Sequence, residues 1–100
     1  MDINKMVKEA EEMKKRLLQT QTELANTEIR GEAANGLVVI TLNGQGELKD
    51  IKIKKEAVDP NDVDALEDLI MSAFREAFIK ADAVSKEMLG KLSGGLPRIE

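Results

Sequence analysis

The sequence contains no cysteine, histidine, tryptophan or tyrosine among its 100 residues. The absence of cysteine excludes disulfide bonds and thiolate metal sites. The absence of histidine removes the commonest general base and, with cysteine also missing, the usual zinc ligands. We therefore predict that the protein is not an enzyme and that it has no catalytic residues, metal site, cofactor or small-molecule substrate.

Aromatic side chains are nearly absent as well, since Phe74 and Phe78 are the only two. Apolar residues still make up 42% of the chain, so the core must be built from Leu, Ile, Val, Ala and Met. The length predicts a single domain over residues 1–100. Because a domain this small buries little surface, oligomerisation is a common source of additional stability.

Long hydrophobic runs are also missing. No apolar stretch approaches the length of a transmembrane helix. Residues 1–16 are charged throughout and lack the apolar segment of a signal peptide. We expect a cytoplasmic protein that does not bind membranes.

Basic residues are fewer than acidic residues, 15 against 19, and the net charge is −4. The deficit lies in residues 59–100, which hold nine acidic and five basic residues, whereas the rest of the chain is balanced. Such a composition is not typical of a nucleic-acid-binding protein. Any binding of this kind must come from local basic patches and must weaken as salt is added.

The most informative feature that is present is a heptad stripe at the start of the chain. Its positions are spaced alternately three and four apart and are apolar except for one threonine: Ile3, Met6, Ala10, Met13, Leu17, Thr20 and Leu24. This pattern predicts a helix over about 3–26, capped by Asp2, with a narrow seam for one or two other helices. At about 1.5 Å per residue the helix would be about 36 Å long, which favours a protruding arm.

Three strands are predicted next, at about 27–33, 37–43 and 47–54, with Asn35-Gly36 as a tight turn. The residues of the second strand expected to face the helices are Val38, Ile40 and Leu42. Those expected to face a partner or a thin solvent cover are Leu37, Val39 and Thr41. Because Leu48 is out of phase with the isoleucines that follow it, we also predict a β-bulge near Lys49-Asp50.

A second helix is predicted over about 60–92, with Asp59 as its N-cap and Pro60 in its first turn. Its first half is apolar over a wide face, as in a helix that lies on a sheet. Its outer half carries small and flexible residues that would pack beside the first helix: Ala77, Ala81, Val84 and Met88. A cluster of glycine and proline then predicts a short tail at 93–100.

Together these elements predict an α+β fold in which a three-stranded antiparallel sheet stands between two long protruding helices. The sheet would leave unpaired edges and an apolar outer face at Leu37 and Val39. A two-fold partner would cover both, so we predict a homodimer formed through the sheet.

Basic residues on the two helices are the candidate functional residues: Lys5, Lys8, Lys14, Lys15, Arg16, Lys86 and Lys91. If the helices are antiparallel, the start of the first meets the end of the second. The lysines at 5, 8, 86 and 91 would then gather at one tip. The alternative is an ordinary solvated surface, because glutamates alternate with these lysines along both helices.

Two other charged clusters have structural explanations. The lysines near the third strand are typical of edge-strand protection: Lys49, Lys52, Lys54 and Lys55. The acids around the second helix start suit the positive end of a helix dipole and lack the spacing of a calcium-binding loop: Asp59, Asp62, Asp64, Glu67 and Asp68.

Several short segments follow one another along the chain: Glu23-Leu24-Ala25, Gly31-Glu32, Gly36-Leu37-Val38, Val39-Ile40-Thr41-Leu42-Asn43-Gly44, Leu66-Glu67-Asp68-Leu69-Ile70 and Ser93-Gly94-Gly95-Leu96. None is specific alone. In this order and at these distances, they resemble the YbaB/EbfC family of bacterial nucleoid-associated proteins over about residues 4–96. Val39 and Arg75 depart from the family pattern, which more often has a basic residue and an asparagine there.

The resemblance implies a homodimer whose paired helices protrude like the arms of tweezers. It implies binding to double-stranded DNA with low sequence specificity, association with the nucleoid, and DNA contacts from the seven basic residues of the arms. A second hypothesis is a prefoldin-like or adaptor module whose arms bind protein partners. Apolar residues available at such a tip are Ile3, Met6, Met88 and Leu89.

Overall fold

A computed structural model describes residues 2–92, so the predicted tail at 93–100 lies outside the described residues. The elements are α1 (Ile3–Ala25), β1 (Glu28–Ala33), β2 (Val38–Asn43), β3 (Leu48–Ile53), a short 3₁₀ turn (Lys55–Ala57) and α2 (Val63–Leu92). The predicted order of helix, three strands and helix is confirmed. The molecule is elongated, with extents of 71 × 28 × 17 Å.

The start and the end of α1 are both held by specific hydrogen bonds. The Asp2 carboxylate accepts the backbone N–H groups of Asn4 (3.1 Å) and Lys5 (3.3 Å), which confirms the predicted N-cap. At the other end, the Gly44 N–H donates to the carbonyl of Leu24 over 2.8 Å. The helix is therefore attached to the turn between β2 and β3.

Asn43 ties that same turn together from inside the protein. Its side chain is buried, and its amide group donates to the Ala25 carbonyl (3.2 Å) and to Glu47 Oε1 (2.9 Å). Its side-chain oxygen accepts the N–H groups of Gln45 and Glu47, each at 3.0 Å. Because every polar atom of the amide is paired, one residue fixes both the turn and the end of α1.

The sheet has the order β1-β2-β3, and both pairs of neighbouring strands are antiparallel. Thr41 pairs with Asp50 while Leu42 pairs with Leu48, so Lys49 is the extra residue of a β-bulge. This confirms the predicted bulge. Its consequence is that the apolar residues of β3 share one face of the sheet: Leu48, Ile51 and Ile53.

The core lies between α2 and the first two strands. The predicted inward residues of β2 are fully or almost fully buried, with exposures of 0 to 1%: Val38, Ile40 and Leu42. Opposite them, α2 presents a row of small buried residues at a spacing of four: Ala73, Ala77 and Ala81. Every residue of β3 is exposed, because α2 crosses β1 and β2 and leaves the third strand uncovered.

The second helix begins at Val63, and the predicted start at 60 is wrong. Asp59 caps a turn instead: its carboxylate accepts the Asn61 N–H (2.9 Å) and its carbonyl accepts the Asp62 N–H (2.9 Å). Asp62 then acts as the helix cap, since its carboxylate accepts the Ala65 N–H over 3.2 Å. Pro60 occupies the turn, where its fixed φ is equally acceptable.

The two helices overlap less than predicted. The described end of α2, at Met88 and Lys91, lies beside residues 16–23 of α1. The start of α1 does not meet this end and extends beyond it. Ile3 and Met6 are accordingly 72% and 54% exposed.

Candidate nucleic-acid interface

The first helix presents five cations on a surface that faces solvent. Lys8 and Lys15 are seven residues apart and lie opposite the heptad stripe, because residues one heptad apart share a helix face. Lys5 and Arg16 lie on one flank of this face, and Lys14 lies on the far side of the stripe. All five side chains are exposed.

These α1 cations have no salt-bridge partner within residues 2–92, where the ion pairs involve other basic residues. Glu12 stands one helical turn from both Lys8 and Arg16, so the face is not purely basic. Glu9 likewise stands one turn from Lys5, and Glu11 stands one turn from Lys8 and Lys15, so acidic residues are interspersed with the cations of α1.

The two candidate lysines of α2 differ from those of α1 because each is paired. Lys86 Nζ lies 2.9 Å from Asp82 Oδ2, and Lys91 Nζ lies 3.6 Å from Glu87 Oε1. Both pairs span one helical turn and are exposed, so each is worth little to stability. The paired acid nevertheless offsets the positive charge that a phosphate would meet.

Only part of the predicted tip is assembled. Arg16 and Lys91 approach the same cleft between the helices, which has a volume of about 500 Å³ and also holds Glu23. Lys8 and Lys5 lie about 12 Å and 16 Å further along α1 than Arg16, at 1.5 Å per residue. The predicted gathering of the lysines at 5, 8, 86 and 91 is therefore wrong: the structure spreads them along the arm.

Lys80 on α2 makes contacts within the fold. Its ammonium group donates to the Arg30 carbonyl of β1 (3.1 Å) and to Glu76 Oε1 (3.0 Å). The hydrogen bond from Lys80 lowers the pKa of Glu76 below its usual value. Lys80 thus connects the helix to the edge of the sheet.

The lysines near β3 lie at an edge of the sheet, as predicted. Lys52 stands opposite Val39 on the face away from α2, which we call the outer face, and Glu32 stands on the other side of Val39. Arg30, Thr41 and Asp50 form the next row. The outer face is therefore largely charged, and the predicted apolar outer face at Leu37 and Val39 is reduced to half-buried residues.

An uncovered apolar surface lies on the opposite face, where the sequence pattern did not predict it. It is a groove of about 420 Å³ between α2 and the bare strand β3. We call it the β3–α2 groove; its lining residues are Ile40, Leu48, Ile51, Ile70, Met71, Phe74, Arg75 and Phe78. Two features of the sequence could have located this groove. The bulge places the apolar residues of β3 on the same face as the core, and the apolar face of α2 is wider than two strands can cover.

The other sequence features have ordinary positions. Neither helix, over the part of the chain that is described, is long and apolar enough to cross a membrane. Among the same residues no three carboxylates converge on a common point as metal ligands would. Asp59 and Asp62, from the acidic cluster, are used in capping.

Comparison with known proteins gives a consistent result. The chain is 47% identical over 95 residues to a nucleoid-associated protein of Rhodospirillum centenum, covering 95% of this chain and 89% of that protein. It is 40% identical over 95 residues to the nucleoid-associated protein jk2011 of Corynebacterium jeikeium, covering 95% and 91%.

A solved structure shares the fold: the uncharacterized protein HP0035 of Helicobacter pylori matches with a TM-score of 0.80 and 24% identity, over 92% of this chain and 97% of that one. The sequence model of the YbaB/EbfC DNA-binding family matches residues 1–96. The family match extends over nearly the whole chain and agrees with the relatives and with the fold, and the protein therefore belongs to the YbaB/EbfC DNA-binding family.

Proposed function

We propose that this protein is a nucleoid-associated protein of the cytoplasm that binds double-stranded DNA as a homodimer, with low sequence specificity, through the arm formed by α1. The observation that carries the proposal is the exposed α1 face around Lys8 and Lys15, whose cations lack salt-bridge partners in residues 2–92. The names of its relatives, nucleoid-associated proteins, support the same role.

Binding of this kind rests on the phosphates. Lysine and arginine side chains that neutralise phosphates release condensed counterions, so the affinity depends on salt and hardly on sequence. Phosphate contacts position a protein on the duplex without reading it, whereas sequence is read in the grooves. An arm that offers flexible lysines on an exposed helix face supplies the first kind of contact.

Helix position and ion pairing support an order among the candidate residues. Lys5, Lys8, Lys15 and Arg16 share neighbouring faces and are the main phosphate contacts in this proposal. Lys14 lies across the stripe and contributes from the other side. Lys86 and Lys91 come last, because each is already paired with an acidic side chain one helical turn away.

We further propose that the β3–α2 groove is the homodimer interface. Phe74 and Phe78, the two aromatic residues of the chain, stack at a centroid distance of 6.0 Å and are still 40% and 50% exposed. A contiguous exposed apolar patch of this kind is unusual on a soluble monomeric protein. A second copy related by a two-fold axis would bring an identical groove against it and bury both.

The experiment that tests DNA binding compares two charge reversals of equal size. Lys8→Glu/Lys15→Glu changes the proposed face, and Lys49→Glu/Lys52→Glu makes the same change in charge at the sheet edge. Fluorescence anisotropy with a short duplex at low salt should show about tenfold or greater loss for the first variant and a much smaller loss for the second. Equal losses would show that only net charge matters and would remove the α1 face from the proposal.

The second candidate function, a protein-binding arm, has one observation in its favour: Ile3, Met6 and Val7 are each at least half exposed at the free end of α1. Affinity capture with and without nuclease separates the two functions. Proteins recovered after nuclease treatment, with no DNA recovered before it, would favour this candidate over the first.

A further inference from the structure

The first two heptads of α1 have an apolar seam that is largely exposed. Leu24 is buried and Thr20 is half-buried, because the sheet and the end of α2 lie beside them. Toward the start of the helix this cover ends. Met13 is half-buried, but Leu17 is 38% exposed, Ala10 is exposed, and Met6 and Ile3 are 54% and 72% exposed.

We propose that this seam pairs with the same seam of a second copy, so that two α1 arms form a short antiparallel coiled coil. A narrow stripe at three-four spacing with charged flanks is the surface that helices use to pack in pairs. A seam buried against a globular core is usually wider. The occupant is therefore a matching helix, and a second copy supplies one with complementary residues.

The antiparallel direction follows from the sizes of the side chains. In the register that opposes Met6 with Leu17, Ala10 falls opposite Met13, so each small residue meets a large one. A parallel pair would instead place Ala10 against Ala10 and leave a void between the helices. Because the pair is symmetric, the Met6–Leu17 layer and the Ala10–Met13 layer each occur twice, which gives four filled layers.

The flanking charges fit the same register. Glu9 and Arg16 occupy the same flank of the seam, one heptad apart, and the antiparallel pair sets Glu9 of each copy opposite Arg16 of the other. Lys14 on the opposite flank meets Val7, which its aliphatic stem can cover. A parallel pair would also form a favourable charge contact, between Glu9 and Lys14. The charges therefore do not distinguish the two directions, whereas the packing at Ala10 does.

The pairing depends neither on DNA binding nor on the dimer proposed above. It engages Arg16 with Glu9 of the second copy, so Lys8 and Lys15 would be among the cations that remain for DNA. Lys8 and Lys15 point away from the seam. Leu24 is attached to Gly44 at the sheet, and Met6 lies about 27 Å from Leu24 along the helix. The arm contact is therefore remote from the β3–α2 groove, and both contacts together would link dimers into larger assemblies.

A seam of about two heptads is short for a coiled coil, so the pairing should be weak in dilute solution. Two dimers bound to one DNA molecule would hold their arms at a high effective concentration and strengthen the same contact without any change in structure. Such linking would let bound dimers coat DNA in runs.

Cysteine trapping tests the register, because the natural chain has no cysteine. Met6→Cys and Leu17→Cys variants, tagged to differ in mass, are mixed without DNA at high concentration and oxidised gently. The antiparallel pair predicts a disulfide between unlike chains. It predicts few disulfides between two chains that both carry Met6→Cys, since the two copies of position 6 lie about 16 Å apart along the pair.

The matched control is Lys8→Cys mixed with Lys15→Cys, which obey the same register but face away from the seam. Unlike-chain disulfides that exceed this control support the proposal, and a native mass of four chains or more shows in addition that dimers are linked. Disulfides between like chains at position 6 overturn it in favour of a parallel pair. A yield no higher than the control overturns the pairing of the arms. Excess unlike-chain disulfides at a native mass of two chains support that pairing and contradict the β3–α2 dimer instead.

Discussion

Gly31 of β1 lies directly against the backbone of Ala77 in α2, with no side chain between strand and helix. A Cβ atom at Gly31 would overlap the Ala73 carbonyl oxygen and the Ala77 nitrogen. Small residues on both sides allow this approach, since α2 contributes alanines at the contact. The contact places α2 over β1 and β2, and therefore leaves β3 bare.

Gly31→Ala should destabilise the protein severely. The added methyl group meets backbone atoms of α2, which cannot rotate away as a flexible side chain would, so the helix must move off the strand. We expect a loss of about 3 kcal/mol or more in the free energy of unfolding. Urea unfolding measures it, with Gly90→Ala as the control because nothing lies within 4 Å of a Cβ built there. The control should show no loss, because alanine is a better helix former than glycine. A Gly31→Ala protein as stable as the control would contradict the close packing.

Phe78→Glu should convert the proposed dimer into a monomer, because a carboxylate in the β3–α2 groove would lose its hydration when the second copy docks. Sedimentation velocity measures the mass. Ile79→Glu is the matched control: Ile79 is the next residue of α2, is 63% exposed and does not line the groove. If both variants remain dimeric, the interface lies elsewhere; if both become monomeric, the effect is not specific to the groove.

Asp82→Asn/Glu87→Gln should increase the affinity for DNA. The substitutions remove the acids that accompany Lys86 and Lys91, which leaves both cations available to phosphates. We expect a gain of about two- to tenfold at low salt, shrinking as salt screens the charges. Glu67→Gln/Asp68→Asn makes the same charge change near the start of α2. An equal gain from this control would mean that the lysines of α2 have no particular part in binding.

Stability should depend on pH through Glu76. The Lys80 hydrogen bond lowers the pKa of Glu76 in the folded protein, so the unfolded chain takes up this proton first as the pH falls. The pair therefore stabilises the protein above the ordinary pKa of 4.5, and this contribution is lost as the pH falls through the lower folded value.

Thermal unfolding of Glu76→Gln compared with the parent chain measures the effect of this ion pair. The parent should be the more stable at neutral pH, and the difference should shrink under acid. Glu11→Gln, which changes a carboxylate on α1, is the control. A difference between the Glu76 variant and the parent that stays constant from neutral to acid pH would contradict the assigned role of the ion pair.

Local patterns in the sequence predicted much of the fold. The alternation at Val38, Ile40 and Leu42 identified the buried face of β2, and the phase of Leu48 located the bulge. These features depend on residues that are close in sequence, or on one strand and its neighbour. Periodicity carries that information directly.

What the sequence left open depends on how the elements dock. Periodicity shows which face of α2 is apolar, but it does not show which strands that face covers. The contact between Gly31 and the alanines of α2 determines which strands the helix covers. In the sequence, the only sign of this contact is that both elements carry small residues. The predicted helix start was wrong because Asp59 and Asp62 are both good N-cap residues. Asp59 caps the turn around Pro60, and Asp62 caps the helix.

For the candidate site, the sequence predicted that the basic residues are exposed but not how they are arranged. The seven basic residues are exposed as expected, yet the offset between α1 and α2 separates those that were expected to meet. That offset depends on where Leu24 is attached to the sheet, through Gly44 and Asn43, which no local pattern reveals.

The most direct test of the account is a DNA-binding titration over a series of salt concentrations, with a protein whose mass in solution is known and two duplexes of equal length and different sequence. Four to eight phosphate contacts per dimer predict a slope of about −4 to −7 for the logarithm of the association constant against the logarithm of the salt concentration, equal for both duplexes. An absence of binding at low salt and micromolar protein would contradict DNA binding through the arms, and a strong preference for one duplex would contradict binding through phosphates alone.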